Sequence, residues 1–285
     1  MAEFEERWRT RVGGLARTVG VIGWPVEESL SPLIHNTAFI ALDLRWVYVP
    51  LPVEPGRLPE ALAGLTALGF AGANVTMPHK TETADLVGEL SEDAVRLRAV
   101  NTLVTTASGL EGHNTDAPGF ERFLSEDAGF EARGRTALLF GGGGAARACA
   151  LALARAGAAS IVVALRDPAK SEGLRTAVSG LETVLEVVAF DEAAAQEPDL
   201  VVNATPLGSD GEQLPLPLLT PETLVVDLLY RPALTPLQIS AKEAGAAAFG
   251  GLGLLLHQAA LSFELWTGQP APLAAMSAAA LAELS

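Results

Sequence analysis

Three short runs of this chain hold residue types from which an enzyme site is built. Asn74-Val75-Thr76-Met77-Pro78-His79-Lys80 places an amide, a hydroxyl and an ammonium close together, just where the apolar run Phe70-Ala71-Gly72-Ala73 gives out. Polar groups at the carboxyl end of a strand in an open α/β sheet face the crevice where ligands bind. Gly112-His113-Asn114-Thr115-Asp116 adds an acid, and the stretch from Arg135 to Arg147 contains the loop Gly141-Gly142-Gly143-Gly144-Ala145-Ala146.

Lys80 and Asp116 form the candidate reaction pair. Oxidising a secondary alcohol with a nicotinamide needs hydride transfer from carbon and proton removal from oxygen, so a positioned acid or base must stand beside the hydroxyl. Either group could hold that proton, and a surface salt bridge is the plainer alternative.

The loop Gly141-x-Gly143-x-x-Ala146 is the small-residue form of a dinucleotide fingerprint. It follows a strand-like run and opens a helical one, which the mechanism requires: glycines let the backbone approach a pyrophosphate, and the helix N-terminus offers amide donors. The next strand-like run ends in Arg166-Asp167-Pro168-Ala169-Lys170. An acid there would bind a ribose hydroxyl and an arginine a 2′-phosphate, so Arg166 and Lys170 favour NADP while Asp167 argues for NAD. The alternative is a solvated basic pair at a helix start.

These runs need a frame. At 285 residues the chain exceeds the usual single core, so two domains are expected, and a 49% hydrophobic content can fill both. Residues 1–17 read as an extension without a signal-peptide core. Residues 18–116 alternate strand-like runs (Thr18–Gly23, Trp46–Pro50) with helical ones (Pro32–Leu42, about 56–68) and carry a hairpin near Ser108-Gly109. From Thr136 a second alternation begins, with runs at 137–140, 161–165, 184–190, 200–203 and 224–228, the pattern of a doubly wound parallel sheet. The fold class is therefore α/β with two domains: an α/β substrate domain, then a Rossmann-like dinucleotide-binding domain over 117–250. Residues 251–285 are helical with no strand after them. The apolar region Ala246–Phe263 is broken by Gly250, Gly251 and Gly253 and carries His257 and Gln258, so it reads as a buried strand and helix, not a membrane span.

A net charge of −15 argues against a nucleic-acid partner. The single Cys149 excludes an internal disulfide, fits a cytoplasmic location and reads as a packing residue. His35, His79, His113 and His257 have no helical metal spacing, so no metal is expected. His79, beside Lys80, is the one histidine with a candidate role, against packing.

From about Thr18 to Gly268 the chain resembles the shikimate dehydrogenase family. The resemblance rests on Gly23-Trp24-Pro25 through Ser29-Leu30-Ser31-Pro32, the Asn74–Lys80 run, Ala99-Val100-Asn101-Thr102, Asn114-Thr115-Asp116, Asn203-Ala204-Thr205-Pro206-Leu207-Gly208, Tyr230-Arg231-Pro232 and Gly251-Leu252-Gly253 with Gln258. It implies reversible, NADP-linked reduction of 3-dehydroshikimate to shikimate in the pathway to aromatic amino acids. It implies that Ser29 and Ser31 hold the substrate carboxylate, helped by Thr76 and Tyr230. Asn74, Asn101, Asp116, Lys80 and Gln258 would surround the ring hydroxyls. Thr205 and Gly251 join the glycine loop, Arg166 and Lys170 at the cofactor, and the C-terminal helices would return to the substrate domain.

Two positions depart from the family pattern. Leu165-Arg166-Asp167 replaces the usual Asn-Arg-Thr, and Ala117 replaces the glycine that commonly follows Asn-Thr-Asp. Two alternatives stay beside the main expectation: a quinate/shikimate dehydrogenase with relaxed cofactor use, and a shikimate-binding protein without turnover. By analogy alone the protein would be a homodimer or a monomer.

Overall fold

The computed structural model describes residues 13–284, so most of the expected N-terminal extension, residues 1–12, lies outside the described residues. Residues 13–16 form a largely exposed turn, and the first strand starts at Arg17, whose guanidinium lies 4.6 Å above the Trp46 ring. The first half runs β1 (Arg17–Gly23), α1 (Ser31–Ala41), β2 (Trp46–Pro52), α2 (Leu58–Ala67), β3 (Gly72–Val75), α3 (Lys80–Leu86), β4 (Glu89–Leu90), α4 (Glu92–Leu97), β5 (Thr102–Thr106) and β6 (Gly109–His113). The second half runs α5 (Asp116–Arg122), β7 (Thr136–Phe140), α6 (Gly144–Arg155), β8 (Ser160–Leu165), α7 (Glu172–Val178), β9 (Val184–Ala189), β10 (Leu200–Asn203), β11 (Leu224–Asp227), α8 (Pro236–Glu243) and β12 (Ala247–Phe249). Helices α9 (Leu252–Thr267) and α10 (Leu273–Leu284) close the chain.

The chain divides into two units. One holds residues up to Thr115 and those from Gln258 onward, and the other runs from Asp116 to His257. The C-terminal return thus begins inside α9, beyond Gly251.

The first unit is built on a mixed sheet ordered β2-β1-β3-β5-β6-β4, parallel from β2 to β3 and antiparallel between β3, β5 and β6. One sheet face packs on α2 through Ile22, Leu58, Leu62, Leu65, Val75 and Leu103. Helix α1 enters with a proline in its first turn, where the missing N–H costs nothing. It buries Ile34, His35, Ala38 and Phe39 along one side. Phe39 meets the ring of Phe263, and the Trp266 indole, tilted against His35, donates to Leu103 O at 2.9 Å. With α10 packed on α1, the last helices belong to this unit.

The second unit has an all-parallel sheet ordered β12-β11-β10-β7-β8-β9, the doubly wound arrangement. Its strands read as nearly unbroken apolar runs because helices cover both faces. Strand β12 corrects the expectation of a buried strand. It lies at the sheet edge with Ala247 and Ala248 exposed, since an edge strand has one neighbour and alanine presents little apolar surface. Helix α8 starts with a reciprocal cap between Thr235 and Gln238. Among the described residues no helix is long and apolar enough to cross a membrane.

Candidate active site

In the second unit the glycine loop links β7 to α6. At the switch point, where the strand order reverses between β7 and β10, it lies against the loop that follows β10. Gly141 has φ +110°, and a Cβ there would sit 3.0 Å from Ala204 O and 3.1 Å from Thr205 Cγ2, so the close approach demands glycine. Gly143 caps α6 in extended conformation, with nothing within 4 Å of where a Cβ would stand. Its neighbours Gly144 and Ala145 open the helix, and Ala146 is buried beneath it. A cavity of about 470 Å³ is lined by Gly141, Gly142, Gly143, Arg166, Lys170 and Thr205, among others. Amides at a helix N-terminus, an open glycine surface and exposed cations fit a dinucleotide carrying a 2′-phosphate.

Asp167 does not face that cavity as an unattached anion. Its carboxylate caps the 3-10 turn Pro168–Ser171 by accepting from the Ala169 N–H at 3.2 Å, and it lies 3.5 Å from Lys170 Nζ. The aspartate therefore works as a turn cap, with Arg166 outside that pair. Behind the cavity, Asn203 Oδ1 accepts from the Thr205 amide at 3.0 Å and its hydroxyl at 2.7 Å. Asn203 Nδ2 donates to Asp227 Oδ1 at 3.0 Å, and Asp227 also accepts from the Leu229 N–H and the Thr235 hydroxyl. Burial raises the Asp227 carboxyl above its usual range, opposed by those three donors. Asp227 escaped notice in the sequence, although an acid closing the apolar strand Leu224-Val225-Val226 was a usable signal.

Gly251, expected at the cofactor, is buried in the turn into α9. A Cβ there would clash with Leu228 O, so close packing of that turn requires glycine. Tyr230 is partly exposed in the loop after β11, and Asp116 opens α5 at 8% exposure. Ala117 lies within the same helix, where a side chain needs no special backbone, which accounts for the lost glycine. Cys149 is fully buried on α6, and its thiol is pushed up by burial and then by the Asp116 carboxylate.

In the first unit Lys80 is the first residue of α3, partly exposed. His79 before it is 1% exposed, and its Nε2 lies 2.7 Å from Val53 O, so the ring anchors the Pro78–Lys80 segment from inside. Thr76, just beyond β3, is partly exposed. Ser29 and Ser31 stand at the start of α1, where Ser29 Oγ accepts from the Ser31 N–H at 3.3 Å. Asn101 is 2% exposed, and its Nδ2 lies 3.5 Å from Gln258 Oε1. Asn74, expected to face ring hydroxyls, is placed otherwise. Its Oδ1 takes the Tyr48 hydroxyl at 2.8 Å, while its Nδ2 faces Asn101 O, Thr102 Oγ1 and Ser262 Oγ at 3.0–3.1 Å. Its N–H hydrogens are taken up by protein acceptors, and Asn74 works as part of the frame.

Fold and loop together define a two-domain α/β protein with a Rossmann-type nucleotide site. Family models described as "Shikimate dehydrogenase substrate binding domain" and "Shikimate 5'-dehydrogenase C-terminal domain" match residues 21–103 and 251–281. The shikimate dehydrogenase (NADP(+)) of Desulforamulus reducens is 42% identical, over 93% of this chain and 95% of that protein. The crystal structure of the Thermus thermophilus shikimate 5-dehydrogenase in complex with NADP(H) and shikimate aligns with a TM-score of 0.84 and 36% identity, covering 93% of this chain and 99% of that one. A quinate dehydrogenase from Corynebacterium glutamicum in complex with NAD aligns at 0.85 and 30%, covering 94% and 99%. The chain belongs to the shikimate dehydrogenase family.

Proposed function

We propose that the protein is an NADP-dependent shikimate dehydrogenase of aromatic amino-acid biosynthesis, working in the cytoplasm and reducing 3-dehydroshikimate reversibly to shikimate. The observation that carries this is 42% identity, over 93% of the chain, to an NADP(+) enzyme of that name, joined to a glycine-loop cavity with Arg166 in its lining. NADPH held by the glycine loop would supply the hydride chemistry, and reduction of the carbonyl also requires a proton at its oxygen. Lys80 and Asp116 hold and deliver that proton. Ser29 and Ser31 donate hydroxyl hydrogens to the substrate carboxylate, assisted by Thr76 and Tyr230, and Asn101 and Gln258 meet the ring oxygens. Amides of Gly142 to Ala145 receive the pyrophosphate, and Arg166 pairs with the 2′-phosphate.

The test is a matrix of nicotinamide absorbance assays, with shikimate or quinate against NADP or NAD. Shikimate with NADP is expected to give the highest kcat/KM. Turnover led by quinate or by NAD would replace this reading with a quinate/shikimate dehydrogenase, and binding without turnover would remove the enzyme altogether.

A further inference from the structure

The groups behind Asn101 decide what its side chain can offer a ligand. Asn101 Oδ1 accepts from the backbone N–H of Thr115 at 2.8 Å, with the hydroxyls of Thr102 and Thr115 at 3.0 and 3.2 Å. A backbone N–H only donates, so the inward end of this amide must be the oxygen. Nδ2 is then the end that reaches Thr115 Oγ1 at 2.9 Å and Gln258 Oε1 at 3.5 Å. The second distance is at the outer limit of a hydrogen bond, so a shorter bond to a ligand oxygen can replace it.

A second amide holds this arrangement from behind. Asn74 Nδ2 points at Asn101 O, a carbonyl that only accepts, so the orientation of Asn74 is also settled. With one N–H hydrogen given to Asn101 O, the other is shared by Thr102 Oγ1 and Ser262 Oγ, which lie 2.8 Å apart. The Ser262 hydroxyl donates to Gln258 O at 3.0 Å, which directs the Thr102 hydrogen to Ser262 or to Asn101 Oδ1. Thr102 and Ser262 are both fully buried, and Thr102 stands directly between the two amides.

We propose that Thr102 and Ser262 are positioning residues that keep Asn101 a hydrogen-bond donor toward a substrate oxygen, so that this point of the site selects an acceptor. The proposal rests on the shikimate reading above. Without the Thr102 hydroxyl, Asn74 Nδ2 loses one of its three acceptors and the contact between Thr102 and Asn101 Oδ1 is gone; the Thr115 N–H still turns the oxygen inward, so what slackens is the placement of the Asn101 amide, not which end faces the ligand.

The experiment compares Thr102→Val, Thr102→Ser and Ser262→Ala with the parent. Readouts are shikimate Kd by calorimetry without cofactor, KM and kcat for shikimate, KM for NADP, and Tm. Losing a buried hydrogen bond that holds a binding group in place corresponds to a weakening of up to roughly tenfold. Thr102→Val is expected to raise shikimate Kd and KM by about that factor, with kcat and the NADP KM nearly constant. Thr102→Ser keeps the hydroxyl and should restore parental affinity, and Ser262→Ala should fall between. A Thr102→Val protein with lower Tm and parental Kd, or a serine variant as weak as the valine one, overturns the proposal. Should Thr102→Val not fold, Ser262→Ala decides, and parental affinity in it has the same meaning. A parent that binds no shikimate defeats the function itself, whereas a parent that binds it with unmoved variants defeats only the positioning role.

Discussion

The two units build their candidate sites from different materials. In the second, the nucleotide cavity is made chiefly of backbone: a glycine with positive φ, amides at the start of α6, and a neighbouring loop that would crowd a Cβ at Gly141. In the first, the surface around Asn101 rests on a buried lattice of side-chain amides and hydroxyls, one link of which, Asn74 to Ser262, joins residues 188 apart in sequence. A backbone site tolerates side-chain change so long as its glycines and strand-turn-helix geometry persist. A side-chain lattice depends on each hydroxyl, because every buried donor must meet an acceptor. Substitutions behind Asn101 should accordingly move substrate parameters, and those lining the glycine-loop cavity cofactor parameters.

The largest effect should come from the proposed reaction pair, Lys80 and Asp116. Lys80→Ala and Asp116→Asn should each lower kcat by about 10²–10⁴-fold, the range for a positioned acid or base. Circular dichroism should show both folded. Turnover within a few-fold of the parent in either variant would remove it from the chemistry.

Arg166→Ala sharpens the contrast from the cofactor side. A charge-assisted hydrogen bond is worth about 1.5–3 kcal/mol, so KM for NADP should rise about tenfold or more while KM for NAD and for shikimate stay near parental values. Equal weakening of NADP and NAD would mean that Arg166 does not read the phosphate. The Asp167–Lys170 pairing makes Arg166 the dominant cation in this expectation.

The smallest effect is a slope in stability and belongs to the first unit. His35 is fully buried, stacked on Tyr48 at 4.5 Å, and neither ring nitrogen has a hydrogen-bond partner. Burial lowers its pKa from 6.5 to about 3. Below pH 6.5 the unfolded chain takes up a proton that the folded protein refuses until about pH 3. The stability present above pH 6.5 is therefore lost as pH falls through that window, by about 1.4 kcal/mol per pH unit at most. Urea melts at about pH 7.5, 6 and 4.5, which cross the upper part of that window, should show a shallower acid decline for His35→Phe than for the parent. Parallel declines would mean that other groups govern acid sensitivity.

Much of the architecture could be read locally. Apolar strand runs punctuated by glycine and proline announced both sheets, because a strand covered on both faces must be apolar along its length. The glycine loop was legible for a related reason: its chemistry lies in the backbone, and a few neighbouring residues encode that backbone. Local signals failed at β12, where exposure follows from a place at the sheet edge, and at Asp167, whose charge is directed by the Ala169 amide and Lys170.

The sequence by itself determined the α/β class, the nucleotide loop and the residue types available for proton transfer, since these depend on periodicity and on contiguous motifs. Only the tertiary structure decided that Asn74 belongs to the frame, that Gly251 is packed too tightly for a side chain and that Thr102 and Ser262 stand behind Asn101. The orientation of a buried amide is set by which donors and acceptors surround it, and here they arrive from β2, β5, the segment before α5, and α9. No run of neighbouring residues records that meeting, because it exists only once the chain has brought those segments together.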